Sequence, residues 1–176
     1  MLNRSTRLVL TNAIYFKGAW KMKFDTKDTK KGALFHLSEK KSVHADMMRM
    51  KEARFKYMKG AGFSALELPY QGEVLSMVIL LPDKVDGLAG LEESFSAKNL
   101  DNWLSRMYRQ KVQEIAIPRF RITQGFSLGT ILKEMGMPSA FAYPRADFSG
   151  MSGGRDLFIS DVIHKAFVEV NEKGSE

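Results

Sequence analysis

The chain of 176 residues is predicted to be an α+β protein with antiparallel or mixed β-sheets and a few short helices. Most of it consists of short apolar or alternating segments bounded by turn residues, as is typical of β-strands. Only three segments, residues 88–95, 97–109 and 128–135, have the apolar spacing of helices. No repeat or linker composition marks a boundary, so residues 1–176 are interpreted as part of one domain.

The first half of the chain is predicted to form strands. Residues 8–16 (LVLTNAIYF) are almost continuously apolar and too short for a free-standing helix, which indicates a strand buried on both faces. Gly18 and residues 25–32 are interpreted as a polar, lysine-rich connection. Short strands are predicted where apolar residues lie between turn residues, at 34–37, 43–48, 55–58, 66–70 and 74–81. Gln71, Gly72 and Glu73 join the last two as a tight hairpin.

The second half mixes helices and strands. The apolar side chains of the 97–109 helix are expected on one side, at Leu100, Trp103, Leu104 and Met107. Residues 113–122 return to alternation, with Pro118 indicating an edge or a bulge. Ser127 is a suitable cap for the helix at 128–135, and Gly136 and Pro138 end it. After a turn-rich loop at 142–156, residues 157–170 are predicted to form a long final strand.

The net charge of +7 comes from one segment. Residues 17–59 contain 13 basic and 5 acidic side chains. One interpretation is a site for a heparin-like polyanion, formed by Lys17, Lys21, Lys23, Lys30, Lys31, Lys40 and Lys41. The other is a solvated sheet face, which we favour because no arginine and aromatic interleaving marks a specific nucleic-acid platform.

Several classes of site are excluded by composition. No cysteine is present, so there are no disulfides or thiolate metal sites, and His36 and His44 lack zinc-ligand spacing. No run of about 18 apolar residues could span a membrane. No phosphate-binding glycine motif follows a strand, so neither a metal nor another cofactor is expected. The chain start lacks the pattern of a signal peptide, and Asn3 begins a short glycosylation sequon.

One motif favours an enzyme. Residues 150–154 read Gly-Met-Ser-Gly-Gly, and Asp161 and His164 follow Ser152 in the order of the α/β-hydrolases. In that fold the nucleophile lies on a strained turn between a strand and a helix, whereas here a strand-like segment follows the serine. We therefore interpret Ser152 as a loop residue and keep a hydrolase as a weak alternative.

Two polar residues lie within apolar strands, Asn12 and His164. An unpaired polar side chain in a buried strand costs about 1–3 kcal/mol, so each needs a hydrogen-bond partner. They could be satisfied independently or by each other across two strands of one sheet.

The ordered motifs of the chain resemble the serpins, a family of inhibitors that trap serine proteases. The resemblance rests on LTNAIYFKGAW at 10–20, VIHKAFVEVNEKGSE at 162–176 and ADFSG at 146–150. The resemblance also includes three short motifs that lie between these segments: Met47-Met48, Leu68-Pro69-Tyr70 and Leu81-Pro82. The match covers the second half of a serpin. The N-terminal helical half, the reactive loop beyond the hinge and the C-terminal strands are expected elsewhere in a longer chain.

The resemblance implies three functional regions. Asn12 and His164 correspond to a polar cluster called the shutter. Trp20, Arg119 and Glu172 correspond to the breach, where the main sheet first opens, and we expect an ion pair between Arg119 and Glu172. The hinge of the reactive loop corresponds to Glu172, Lys173, Gly174, Ser175 and Glu176.

The function implied is inhibition of a serine-type endopeptidase rather than catalysis. A protease would cleave the reactive loop, the loop would insert between the strands predicted at 8–16 and 157–170, and the protease would be trapped covalently. A small residue at position 175 favours an inhibitor, while a non-inhibitory carrier or chaperone is the alternative. The expected partners are a target serine protease, or a cysteine protease, and the remaining half of the serpin chain. An extracellular location is favoured by the resemblance, with an intracellular one as the alternative.

Overall fold

The computed structural model describes residues 8–10 and 15–176, which divide into two compact units. The described part of unit 1 contains residues 8–10, 15 and Ile122–Val168, and unit 2 contains Phe16–Arg121 and Glu169–Glu176. Among the described residues, no helix combines the length and apolar character needed to cross a membrane.

The described helices are short, and the long strands are β4, β7 and β9, of 19, 11 and 13 residues. In chain order they are β1 (Leu8–Leu10), β2 (Gly18–Ala19), a 3-10 helix (Thr26–Asp28), β3 (Lys30–Ser38), β4 (Lys41–Lys59), β5 (Phe63–Pro69), β6 (Ser76–Pro82), α1 (Leu88–Glu93), α2 (Ala97–Ser105), β7 (Tyr108–Pro118), β8 (Phe120–Ser127), α3 (Gly129–Glu134), a 3-10 helix (Pro138–Phe141), α4 (Ser149–Ser152), β9 (Ile159–Asn171) and β10 (Gly174–Ser175). Antiparallel sheets with a few short helices confirm the predicted α+β class.

Unit 2 contains an antiparallel sheet in the order β3-β4-β5-β6, with β7 also paired to β4. The two short strands predicted at 43–48 and 55–58 are one continuous strand, so that prediction was wrong. The charged residues between them resemble a connection in the sequence. In the sheet they have cross-strand partners on β7: Arg49 pairs with Glu114, and Glu52 with Lys111.

The predicted helices and the β5–β6 hairpin are present, but one helix is shorter than predicted. Helix α2 ends at Ser105, whereas helical spacing predicted residue 109. Tyr108 and Arg109 instead begin β7, opposite Tyr57 and Lys56 of β4. Trp103 and Met107 are buried and Leu100 packs against them, but Leu104 is 38% exposed, so the predicted apolar side is confirmed except at Leu104.

The strand predicted at 113–122 is two strands that meet at Arg119. Pro118 ends β7 because it has no N–H to continue a ladder. The backbone N–H of Arg119 donates to Asp46 O at 2.7 Å, which satisfies this group at the junction. The predicted connection at 25–32 also needs correction, since Lys30 begins β3 and Gly18 belongs to β2.

In unit 1, β9 has β1 and β8 as neighbours. Strand β1 runs parallel to β9, with Leu8 opposite Ile159 and Leu10 opposite Val162. The strand predicted at 8–16 is thus present at its start. Tyr15 and Phe16 lie outside any strand, and residues 11–14 lie outside the described residues. The assignment of Ser127 as the cap of α3 was wrong by one residue, because Leu128 is the N-cap and Ser127 ends β8, although Ser127 Oγ still accepts from Gly129 N at 3.3 Å.

Candidate functional site

The segment predicted to be a hinge is a strand in this structure. Strand β10 pairs antiparallel with β2 on one side, where Gly174 faces Ala19, and with the end of β9 on the other, where Ser175 faces Val170. Glu176 extends the pairing, because its N–H and C=O exchange hydrogen bonds with Glu169 at 2.9 and 2.7 Å. Residues 174–176 therefore add a strand between β2 and β9.

Close backbone approach restricts two positions of this site to glycine. A Cβ atom on Gly174 would lie 1.9 Å from the carbonyl oxygen of Gly18 and 2.9 Å from Ala19 Cα. A Cβ atom on Gly18 would lie 2.5 Å from the Tyr70 ring. A side chain at Gly174 would therefore push β10 away from β2, and one at Gly18 would displace the buried Tyr70 ring.

The side chain of Ser175 is buried against Tyr70. Their two hydroxyl groups are hydrogen-bonded, and both residues are only 6% exposed. The Tyr70 ring stacks on Trp20 with centroids 4.8 Å apart, and it meets the edge of Phe16 at 5.0 Å. A buried hydroxyl needs a partner, so this aromatic cluster provides a fitted position for a small hydroxyl side chain.

Trp20 holds the turn that leads into β10. Its indole Nε1 donates to Asn171 O at 2.9 Å, and its backbone N–H donates to Lys173 O at 3.0 Å. Lys173 N in turn donates to the side-chain oxygen of Asn171 at 2.9 Å. Trp20 is 1% exposed, so its indole bond is partly shielded from water, whereas the bond from Lys173 N is exposed.

Glu172 is a buried carboxylate with two different partners. Thr29 Oγ1 donates to Glu172 Oε1 at 2.8 Å, whereas Arg119 Nε lies 3.6 Å from Glu172 Oε2. The expected proximity of Arg119 and Glu172 is thus present, but the distance exceeds that of a charge-assisted hydrogen bond. The side chain of Arg119 is 48% exposed and that of Glu172 7% exposed. Thr29 is the stronger partner, and no motif in the sequence indicated it.

The remaining hinge residues face water. Lys173 is exposed at the turn, and Glu176 forms an exposed ion pair with Lys17, whose Nζ lies 2.9 Å from Glu176 Oε2. Exposed pairs of this kind contribute little to stability. The hinge therefore has three buried residues, Glu172, Gly174 and Ser175, and two exposed ones, Lys173 and Glu176.

The proposed shutter pair is described only in part. Asn12 lies outside the described residues. His164 lies on β9, half-buried, with its ring 5.4 Å from that of Phe126 on β8. The pairing of Asn12 with His164 stays a prediction.

The hydrolase alternative is contradicted by the local geometry. Ser152 is the last residue of α4, not part of a turn between a strand and a helix. Its hydroxyl donates to Asp156 at 2.9 Å. Asp161 accepts from the hydroxyl of Ser127 and from Val162 N, which together lower the pKa of its carboxyl. His164 packs on Phe126, so Ser152, Asp161 and His164 form no hydrogen-bonded triad.

The seven lysines considered for a polyanion site are all exposed but lie on different elements. Lys30 and Lys31 begin β3, while Lys40 and Lys41 lie beyond its other end, a separation of about 25 Å along a nine-residue strand. Lys17 is paired with Glu176, and Lys21 with Glu73. Among the described residues no three His, Asp or Glu side chains are grouped as a metal site would need. The polyanion site stays a prediction.

Comparisons with known proteins agree on one family. The family model described as "Serpin (serine protease inhibitor)" matches residues 1–176. The human leukocyte elastase inhibitor is 42% identical over 182 residues, which cover 100% of this chain and 48% of that protein. The chain thus spans about half the length of the curated relatives it matches.

Solved structures give the same result. Serpin48, described as a highly specific serpin in the insect Tenebrio molitor, matches this chain with a TM-score of 0.86 at 36% identity, with coverage of 99% of this chain and 47% of that one. Ovalbumin from emu (Dromaius novaehollandiae) has a TM-score of 0.83 at 36% identity, with coverage of 90% of this chain and 41% of that one.

Proposed function

Since this chain belongs to the serpin family, we propose that it forms part of an inhibitor of serine-type endopeptidases. In the proposed mechanism a protease cleaves the reactive loop and forms an acyl-enzyme. The cut loop then inserts into the main sheet as a new strand, and the protease is trapped in a covalent complex. The chain contributes the strands between which the loop inserts, not a catalytic group.

One observation carries the proposal: β10 is already paired on both sides, with β2 and β9. Its two residues are both small, a glycine against the Gly18 carbonyl and a serine against Tyr70. A strand that is begun in this way can be extended residue by residue, because each added residue gains ladder hydrogen bonds and the first pairs are already made.

The parallel pairing of β1 with β9 supports the rest of the mechanism. Residues 8–10 are hydrogen-bonded to residues 159–162, so these two strands would have to separate before a loop could enter between them. Two parallel strands that separate can each pair with an antiparallel strand placed between them, and this raises the number of ladder hydrogen bonds. The gain favours the inserted state and makes the uncut state metastable.

Glu172 and its partners are proposed to hold this metastable state. The carboxylate is fixed by Thr29 and by the nearby charge of Arg119, and the Glu172 carbonyl accepts from Phe24 N at 3.1 Å. The predicted shutter pair of Asn12 and His164 would act in the same way on the strands of unit 1. Loss of either latch would favour premature opening.

An elastase-like serine protease is proposed as the target, since the human relative is named leukocyte elastase inhibitor. A cysteine protease is the alternative class, and the remaining half of the serpin is the obligatory structural partner. An extracellular location stays a prediction from the family.

The test is incubation of the full-length protein with elastase-like, chymotrypsin-like and trypsin-like proteases, followed by a denaturing gel. A band at the summed mass that survives denaturant is expected with the elastase-like enzyme. Ser175→Glu should abolish the band because a charge cannot be buried at Tyr70. Ser105→Glu, at the exposed end of α2, is the matched control and should keep it. Clean cleavage without a band for every protease would contradict inhibition and favour a carrier or chaperone.

A further inference from the structure

Four basic side chains lie together on one face of the sheet in unit 2. Arg54 of β4 is directly opposite Lys111 of β7, and Lys56 is directly opposite Arg109. Residues opposite each other on paired strands point to the same face, and so do residues two apart on one strand. All four side chains are exposed. We call these four residues the β4–β7 basic block.

The other face of the same strands belongs to the core of unit 2. Ala53 and Phe55, which alternate with Arg54 along β4, are 6% and 3% exposed. This buried face fixes the backbone under the block. The Cβ atoms of the four cations are therefore held about 5 Å apart across the strands and about 7 Å apart along them.

The two lysines of the block each have a carboxylate partner. Lys56 Nζ lies 3.1 Å from Glu67 Oε2, and Lys111 Nζ lies 3.0 Å from Glu52 Oε1. Both lysine side chains are more than half exposed, at 56% and 53%. Such pairs are weak in water, so they offset only part of the positive charge.

The two arginines of the block are not balanced in this way. Neither Arg54 nor Arg109 forms an ion pair with a carboxylate of residues 15–176. Arg109 contributes to the lowered pKa of Glu73, but the main cause of that shift is the hydrogen bond between Glu73 and Lys21. Glu73 is thus already engaged by another cation.

This arrangement is unfavourable for the fold alone. Like charges directly opposite each other on two strands are destabilising, and here two such pairs are adjacent. Sequences depart from rules of this kind mainly at functional sites. A bound anion would relieve the repulsion, because it would supply the negative charge that the sheet does not.

Carboxylates limit the size of the anion that the block can accept. Glu52 and Glu114 lie beyond the block along the strands, where Glu52 contacts Lys111 and Glu114 contacts Arg49. Glu67 lies beside it on β5, opposite Lys56. A long polyanion that followed the strands in this direction, or crossed the sheet toward β5, would meet these negative charges. The block therefore favours a compact anion over a long chain.

The block also lacks the features of a nucleic-acid site. Binding of single strands uses aromatic side chains on which bases stack. Tyr57 and Tyr108, the next residues along the two strands, alternate to the opposite face from the four cations. The block thus offers charge without a stacking surface.

We propose that the β4–β7 basic block binds a compact polyphosphate, such as a triphosphate group or a multiply phosphorylated ring. Arg54 and Arg109 would make bidentate contacts with phosphate oxygens, and Lys56 and Lys111 would act as point charges. This site differs from the seven lysines considered in the sequence, and it does not depend on protease inhibition.

The test is isothermal titration calorimetry of the full-length protein with inorganic tripolyphosphate and with inositol hexakisphosphate. Saturable binding is expected for at least one of them, and the tighter one shows whether a chain or a ring fits better. Orthophosphate at the same ionic strength should bind at least about tenfold more weakly, because it reaches fewer of the cations. Absence of saturable binding by both polyphosphates would overturn the proposal.

Charge-neutralising variants locate the site. Arg54→Gln and Arg109→Gln should each weaken binding by about tenfold. Lys41→Gln, which removes one exposed charge at the other end of β4, is the matched control and should leave binding unchanged. Equal weakening by all three variants would overturn a defined site and indicate attraction by net charge alone. Affinity that rises with the length of a heparin-like chain would overturn the compact ligand and indicate a linear polyanion.

Urea denaturation provides a second readout. Without ligand, Arg54→Gln should be at least as stable as the wild type, because it removes a like charge opposite Lys111. With tripolyphosphate, the denaturation midpoint of the wild type should rise and that of the variant should rise less. A variant that is clearly less stable than the wild type without ligand would overturn the view that Arg54 serves binding at the expense of stability. None of these results depends on whether the protein traps a protease.

Discussion

Strand β9 has different neighbours at its start and at its end. Near its start, residues 159–162 pair in parallel with β1. At its end, Val170 and Asn171 pair antiparallel with β10. Under the proposed mechanism, an entering strand would have to break existing hydrogen bonds in the first region, whereas in the second β10 is already paired. The proposed insertion would therefore start from pairs already made at the hinge, and its remaining cost would lie at β1.

The two regions also differ in side-chain tolerance. At the hinge a Cβ atom on Gly174 would overlap the backbone of β2, whereas a Cβ atom on Gly125 of β8 would lie at 3.7 Å from His164 O, an ordinary contact. There is thus no space for a methyl group at Gly174 of the hinge, while there is space for one at Gly125 of unit 1. Substitutions of the same type in the two regions can measure this contrast.

The largest effect is expected for Gly174→Ala. The methyl group cannot be placed without displacing β10 from β2, so we expect a loss of about 3 kcal/mol in the free energy of unfolding of the full-length protein. The matched change Gly125→Ala should shift it by less than about 1 kcal/mol. Urea denaturation of both variants provides the comparison. Equal effects at the two glycines would contradict the close fit of the hinge.

A smaller effect is expected from the partners of Glu172. Thr29→Val keeps the shape of the side chain but removes the hydroxyl that donates to a buried carboxylate, so it should cost about 2 kcal/mol. Arg119→Gln should cost about 0.5 kcal/mol, because its guanidinium is half exposed and 3.6 Å from the carboxylate. Urea denaturation of both variants shows which substitution lowers the free energy of unfolding more. A larger loss for Arg119→Gln would show that the ion pair, not the hydroxyl, holds Glu172.

The hydroxyl pair at Ser175 is expected to contribute about 1 kcal/mol. Tyr70→Phe and Ser175→Ala should each destabilise the protein, because each leaves one buried hydroxyl without its partner. The double variant should be less destabilised than the sum of the two. A double-mutant cycle measures this coupling, and strict additivity would indicate that the two hydroxyls do not interact.

The smallest effect is expected at Asp161 in unit 1. The hydroxyl of Ser127, followed by the N–H of Val162, lowers the pKa of the Asp161 carboxyl. A lowered pKa means that the carboxylate stabilises the fold at neutral pH and that this contribution is lost as the pH falls through the lowered value. Ser127→Ala should raise the pKa of Asp161 toward its ordinary range, which an NMR titration of the carboxyl would measure. An unchanged pKa would assign the shift to another group.

Much of the fold was predictable because local patterns decided it. The Gln71-Gly72-Glu73 turn, the buried side of α2 at Trp103 and Met107, and the α+β class all follow from spacing and turn chemistry. The length of β4 did not, since its charged middle residues look like a loop until β7 supplies their partners. The end of α2 was missed for a similar reason: residues 106–109 have helical spacing, but Tyr108 and Arg109 pair with β4.

The candidate site also contains residues that the sequence predicted and residues that it did not. Motif resemblance indicated Trp20, Glu172 and Arg119, and the structure brings all three together around the turn before β10. Thr29 and Tyr70 were not predicted as partners of the hinge. They lie 143 and 105 residues from the groups that they bind, and no local pattern encodes a contact over such a separation.

Hydrogen exchange of the full-length protein, before and after cleavage of its reactive loop, is the decisive measurement for the proposed insertion. The amides of Trp20 and Glu176 should be protected in the uncut protein, since they donate to Lys173 O and Glu169 O. After cleavage, the amides of residues 159–168 should exchange more slowly as the inserted strand extends. Rapid exchange at Glu176 before cleavage, or unchanged exchange at 159–168 after it, would contradict a hinge that is already in the sheet and a loop that follows it.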